Sequence, residues 1–231
     1  MEANNVQWAF AVGMKDIGAY QLETYASFVR SSSRTLIPIA FYDFQESESH
    51  SDIYRKLDRI VAAGYVGIKI HPRFSLVPLR SQTLAAVLSE ASKRDLRVLI
   101  CTYLYGPEYA SMGATIEDFS FLLAAAPPCC KILLLHGGVM NLLTMMEIVR
   151  PHTNVLLDLS FVLCRYEGSS IDLDIKFLFR SFDRRICVGS DSPQFELASL
   201  RRRFNDFAQN VEEEKCINIG YRNLHTFLGK D

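Results

Sequence analysis

An α/β fold is predicted for this 231-residue chain by three observations. Short apolar, β-branched runs recur along its length, stretches of helical period separate them, and no linker, low-complexity tract or composition break interrupts the alternation. Residues 1–231 therefore read as one domain. The expected strands are Trp8–Val12, Thr35–Phe41, Tyr65–His71, Arg97–Tyr103, Lys131–His136, Asn154–Ser160 and Arg185–Asp191. Several are apolar almost throughout, the pattern of strands covered on both faces of a parallel sheet.

The first strand runs into "AVGMKDIGAY", which has Gly13 and Gly18 but no G-x-G-x-x-G, and this counts against a dinucleotide site. After the second strand, "SDIYRKLDRIVAAG" suits a helix capped by Ser51 or Asp52, with Ile53, Leu57 and Ile60 on one face and a stop at Gly64. The third strand, "GIKIHPRF", ends on His71, which precedes Pro72 and is explained by a simple strand end. "PLRSQTLAAVLSEASKRD" repeats the helical pattern with Leu84, Val87 and Leu88. The fourth strand closes on Cys101–Tyr103. The fifth delivers His136 to Gly137 and Gly138, a pair that lets a ligand approach the backbone. On the sixth, Asp158 and Ser160 are two residues apart and face the same side, so one can bond the other. The seventh, "RICVGSDSPQF", carries Asp191 to its end. A helix start would use Ser192 as cap and Pro193 in the first turn, but it has no need of Asp191.

Strand-helix alternation implies right-handed crossovers, and two architectures satisfy it: an open doubly wound sheet and a closed (β/α) barrel. Seven strands fall one short of the usual eight-stranded barrel, and a missing strand would be the first. In a barrel the C-terminal strand ends form one rim, where active sites sit. That rim would gather His71, Cys101, Tyr103, His136, Asp158, Ser160 and Asp191. Two histidines and an aspartate suit either a divalent metal or metal-free acid–base chemistry. Cys101 reads as a buried structural thiol, and there is no G-x-S-x-G elbow for serine catalysis. Tyr103 and Tyr105 suit a pocket wall. Arg73, just beyond the third strand, has the forked donors that pair with a carboxylate, although a surface ion pair would explain it too.

Composition narrows the function classes. Twenty-five Lys and Arg balance 26 Asp and Glu, giving a net charge of -1, so no bulk field recruits nucleic acid or anionic lipid. The run Arg201–Arg203 fits a solvated helix face. The N-terminus lacks a secretory pattern, and apolar runs such as "ILLL" are too short to span a bilayer. The six cysteines show no paired CxxC spacing, and reduced buried thiols in a cytoplasmic protein are expected.

Five phrases taken in order, "GYVGIKIHP", "LLLHGG", "NVLLDLS", "ICVGSDSP" and "IGYRNLHTFLG", make the chain similar to the amidohydrolase-related (amidohydrolase-2) branch of the metal-dependent hydrolases. The resemblance implies a (β/α) barrel of the TIM type and spans essentially the whole chain. It also implies hydrolysis, decarboxylation or lactone opening on a small carboxylate-bearing substrate. By resemblance, Asp191 is the eighth-strand aspartate that ligates metal and handles the reacting proton, His136 is the sixth-strand histidine beside the metal, and Asn223 is the usual asparagine of the closing helix. Zinc or manganese would be the cofactor of an active member, held by Asp191 and His136 with Cys101 as a substitute ligand. Arg73, Tyr103 and Ser160 are the expected substrate contacts.

Two departures oppose the active form: the family's His-x-His first strand has no counterpart, and Cys101 and Thr102 stand where the fifth strand usually ends in a histidine. The alternatives are a catalytically degenerate barrel that binds a small acid or a protein partner, and a barrel that completes itself by homodimerisation.

Overall fold

The structure is a computed structural model that describes residues 1–15, 17–18, 20–106, 109 and 112–230. It divides into two compact units, residues 7–132 and residues 1–6 with 133–231. Part of the "AVGMKDIGAY" stretch lies outside the described residues.

The unit of residues 7–132 holds β1 (Ala9–Val12), β2 (Leu36–Phe41), β3 (Gly67–Ile70) and β4 (Arg97–Cys101). All pair in parallel, β1 with β2 from Ala9↔Leu36, β2 with β3 at Ala40↔Ile68, and β3 with β4 from Gly67↔Arg97. The Val98 N–H donates to the Lys131 carbonyl at 2.9 Å. Every residue of β3 and β4 is buried, as the unbroken apolar runs require, whereas all four of β1 are half-exposed. Gly67 is needed where it stands, because a Cβ there would lie 2.4 Å from the Arg97 carbonyl oxygen.

The crossover helices bury the expected stripes. Helix His50–Ala62 buries Ile53, Leu57 and Ile60, and helix Gln82–Lys93 buries Leu84, Val87, Leu88 and Ala91. The first of these corrects the expected cap. Ser49, not Ser51 or Asp52, is the N-cap, with Asp52 closing a capping box onto the Ser49 backbone. The two helices are tied by charge: Arg94 bonds Asp58 at 2.8 Å and the buried Glu90 at 2.7 Å. Glu90 also meets Lys93 at 2.6 Å, and bonds from Lys93 and then Arg94 hold its carboxyl below the usual range.

The other unit holds most of β5 (Ile132–Leu135), β6 (Val155–Asp158) and β7 (Ile186–Cys187). β6 and β7 pair in parallel at Leu157↔Ile186 and Asp158↔Cys187. All seven expected strands are therefore found, each trimmed, and β7 is cut to two residues.

Three polar side chains organise this unit. Arg185, just before β7, donates to the Val155 and Val149 carbonyls and to that of His152, closing a helix end and the start of β6 together. Buried Arg203 on helix Leu197–Ala208 donates to Leu163 O at 2.9 Å and pairs with Asp172, which ties three helical segments. Asn223 donates to the carbonyls of Asp183 and Ile186 at 2.6 and 2.7 Å, fastening the closing helix to β7. That closing segment begins as a π-helical turn, Asn218–Arg222, before helix Asn223–Phe227. Arg201 donates to Asn4 O and Asn5 O at 2.9 and 3.0 Å, which explains why residues 1–6 belong here.

Ser192 and Pro193 do not start a helix. They lie in a turn joined by a cis peptide bond, and the next helix begins at Leu197 with Glu196 as its N-cap. No helix among the described residues is long and apolar enough to cross a membrane.

Candidate active site

The chemistry-bearing side chains of the C-terminal unit converge where β5, β6 and β7 end. His136 follows β5 directly and is buried. Its backbone has φ 69°, and the turn continues through Gly137 at φ 60°, Gly138 at φ 76° and Val139 at φ 59°. Phe161, just past β6, has φ 64°, and Asp191, just past β7, has φ 54°. Left-handed backbone is unfavourable for residues with a Cβ, and most of all for a β-branched one. Four such residues at the ends of three strands mark a place where the fold holds the chain against its preference.

Asp158 is the innermost polar group. The Ser160 hydroxyl donates to Asp158 Oδ2, and Ser160 Oγ lies 3.2 Å from His136 Nδ1. The Cys187 thiol donates to Asp158 Oδ1 at 3.9 Å. Asp158, Ser160, His136 and Cys187 are all buried. Burial pushes the Asp158 carboxyl above its usual value, the Ser160 hydrogen bond and the charge of His136 oppose that rise, and the nearby charge of Asp191 adds to it. Burial, reinforced by the Asp158 charge, holds the Cys187 thiol well above the ordinary range, so this cysteine is a packed thiol rather than a nucleophile.

Gly189 makes room for the arrangement. A Cβ there would come within 3.1 Å of Ser160 Cβ and 3.4 Å of Asp158 Oδ1. Aromatic rings wall the site: Phe161 sits edge-on to His136 with centroids 5.8 Å apart and tilts against Phe195 at 6.0 Å. Asp191 is partly buried, and its carbonyl accepts from the Gln194 N–H at 2.9 Å.

In the unit of residues 7–132, Arg73 lies between two rings, its guanidinium 4.8 Å from the centroids of both Phe74 and Tyr103. Nη1 reaches Tyr105 O at 3.4 Å, while Nε is buried without a hydrogen-bond partner among the described residues. Gly106 leaves the space for this side chain, since a Cβ would lie 3.0 Å from Arg73 Cδ. Tyr103 and Tyr105 meet edge to face at 5.4 Å. His71, expected to end the third strand, lies just past β3 and caps a helix instead: Nδ1 accepts from Phe74 N at 3.4 Å at the start of the short helix Pro72–Ser75, and its ring stacks on Phe74. Cys101 is buried at the end of β4.

The structure thus brings His136, Ser160 and Asp158 into contact, places Asp191 near enough for Asp158 to feel its charge, and joins Arg73 to Tyr103. The bond from Ser160 to Asp158 that the sequence allowed is present, made from the turn that follows β6. The contacts of Cys187, Gly189, Phe161 and Phe195 were missed; the register of β6 against β7, which pairs Asp158 with Cys187, is the signal that finds the first. Among the described residues no group of three or more His, Cys, Asp or Glu is gathered in a way that could hold a metal ion. The donor set formed by these residues does not fit the metal that the resemblance implies.

Comparison with known proteins places these residues in a family. A TIM-barrel protein from Bordetella bronchiseptica superposes with a TM-score of 0.82 at 15% identity, covering 100% of this chain and 80% of that one. A 2,6-dihydroxybenzoate decarboxylase complexed with 2,6-dihydroxybenzoate gives 0.65 at 16% identity, covering 90% and 75%. A 4-oxalomesaconate hydratase from Rhodopseudomonas palustris gives 0.61 at 15%, covering 90% and 72%. At these identities the likeness shows the fold, that of the TIM barrels, and shows no activity. No curated protein sequence matches the chain. The family model described as amidohydrolase matches residues 39–217, which include His136, Asp158, Ser160 and Asp191, and the chain belongs to the amidohydrolase family.

Proposed function

We propose that this chain is an acid–base enzyme of the amidohydrolase family acting on a small carboxylate-bearing substrate by hydrolysis or decarboxylation. The observation that supports it is the buried His136–Ser160–Asp158 contact beside Asp191, at strand ends held in left-handed backbone. In the hydrolytic form, Asp191 takes a proton from water as the water oxygen bonds to the substrate carbonyl carbon. His136, as imidazolium, gives a proton to the leaving group as its bond to that carbon breaks. Proton return from Asp191 to His136 resets the pair, and one water is consumed. In the decarboxylating form, His136 protonates the carbon that releases carbon dioxide. In the unit of residues 7–132, the forked donors of Arg73, held beside Tyr103, are separately proposed to take a carboxylate.

The test is turnover of a panel of small carboxylated amides, lactones and hydroxybenzoates, followed by proton release and by carbon dioxide release. Loss of a general acid or base lowers rates by about 10²–10⁴-fold, so His136→Asn and Asp191→Asn should each fall by that amount. Asn tolerates left-handed backbone, which keeps the comparison free of folding effects. Rates unchanged by both substitutions would refute the assignment.

The second reading is a binding barrel without catalysis, favoured by Cys101 standing at the end of β4 where the family resemblance implies a histidine. It predicts saturable binding of a panel acid with no turnover, and binding that survives Asp191→Asn.

A further inference from the structure

β3 carries a buried amine that the proposed chemistry does not use. Lys69 is only 8% exposed, yet its amine has neither a hydrogen bond nor an ion pair among the described residues. Glu90, Arg97, Asp118 and Arg203 are buried too, and each has an ion-pair partner. An ammonium withdrawn from water is costly unless an opposite charge meets it. The amine is nevertheless not sealed in, because Arg73 Nε is the one fully buried side-chain nitrogen or oxygen without a partner among the described residues. Lys69 thus buries its stem and brings its charge to a narrow opening.

His71, two residues further on and 5% exposed, repeats the pattern. Its φ of −118° continues the extended backbone beyond β3, so the two side chains share one face. His71 Nδ1 accepts from the Phe74 N–H, so the neutral ring carries its proton on Nε2, which has no partner among the described residues. The Phe74 ring, stacked at 3.9 Å, fixes the imidazole plane. Register places Phe41 of β2 and Leu99 of β4 on the same face beside Lys69, and both are buried. A ligand for this place needs a negative charge and an apolar body. We infer that Lys69 Nζ and His71 Nε2 are the donors of a binding site for a small monocarboxylate with an apolar body, at the C-terminal end of β3. One ammonium balances one carboxylate, whereas the second charge of a phosphate would stay uncompensated. The site goes beyond the proposed reaction, because it lies in the unit of residues 7–132 and needs no turnover.

The test takes sodium isovalerate as probe on the full chain, with its neutral amide, isovaleramide, and inorganic phosphate as controls. Reductive methylation by formaldehyde, followed peptide by peptide in a mass spectrometer, reports the access of each lysine amine. Saturating isovalerate should slow methylation of Lys69 and leave that of Lys93, whose side chain is 64% exposed, unchanged. Isovaleramide and phosphate should slow neither. In titration calorimetry, Lys69→Met keeps the stem, removes the charge and should weaken isovalerate binding at least about tenfold, the loss of a hydrogen bond to a charged group. His71→Asn keeps a helix cap, removes the Nε2 donor and should weaken binding by a smaller factor. A Lys69 that resists methylation in the free chain, or that isovalerate fails to protect, overturns the site, as does undiminished binding to Lys69→Met. Equal protection by phosphate overturns the carboxylate assignment. Should Lys69→Met fail to fold, protection in the native chain decides by itself. Because binding is read without turnover, an inactive chain in which isovalerate protects Lys69 would lose the proposed reaction and keep this site.

Discussion

Asp158 is a carboxyl in surroundings that disfavour its charge: burial raises its pKa, Asp191 adds to the rise, and the Ser160 hydroxyl relieves part of it. A carboxyl that holds its proton more tightly when folded contributes stability that is complete below the unfolded value of about 3.9 and is lost as pH climbs through the raised folded value. Asp158→Asn removes this dependence. Urea midpoints taken across that range should therefore show the variant gaining on the native chain as pH rises, then running parallel above it. A constant gap would mean that Asp158 has no raised value. The pairing of Asp158 with Ser160 was expected from period two; it is made, although β6 ends at Asp158 and Ser160 stands in the turn that follows. The contact between Ser160 and His136 could not, because it depends on how two strands come together. Nor could the buried Nε of Arg73, which depends on the rings of Phe74 and Tyr103 closing around it.

At the scale of the element, the apolar stripes were readable and the ends were less so. Ile53, Leu57 and Ile60 announce the helix His50–Ala62, but two serines and an aspartate crowd its start, and geometry selects Ser49. Ser49→Ala should cost about 1 kcal/mol in thermal or urea unfolding, whereas Ser51→Ala should cost little. β7 has only two residues, with the chain turning left-handed at Asp191 four residues further on, and those two residues depend on outside support. Asn223→Ala takes a donor from two carbonyls at its start and should destabilise the protein by about 1–3 kcal/mol. Amide exchange in β7 should rise with it. Pro193 misled because a proline after a serine suits a helix start and a cis turn alike, and sequence does not distinguish them.

For the whole molecule, the parallel α/β class was legible because alternation and doubly buried strands are written into the sequence pattern, and four of the five amidohydrolase phrases lie within the matched residues 39–217, the closing-helix phrase falling just beyond them. The half-exposed β1 stands at one end of the strand order and is the surface we propose for pairing with a second copy. Gel filtration across a dilution series should then show a dimer that dissociates, and a monomer at every concentration would dismiss it. The left-handed backbone at His136, Phe161 and Asp191 also bears on how the protein would respond to engineering. Glycine at any of the three relieves about 1 kcal/mol of conformational strain. A selection for heat resistance alone would therefore favour replacing the residues that give the proposed site its chemistry, and the hardiest survivors would be the ones least able to move a proton.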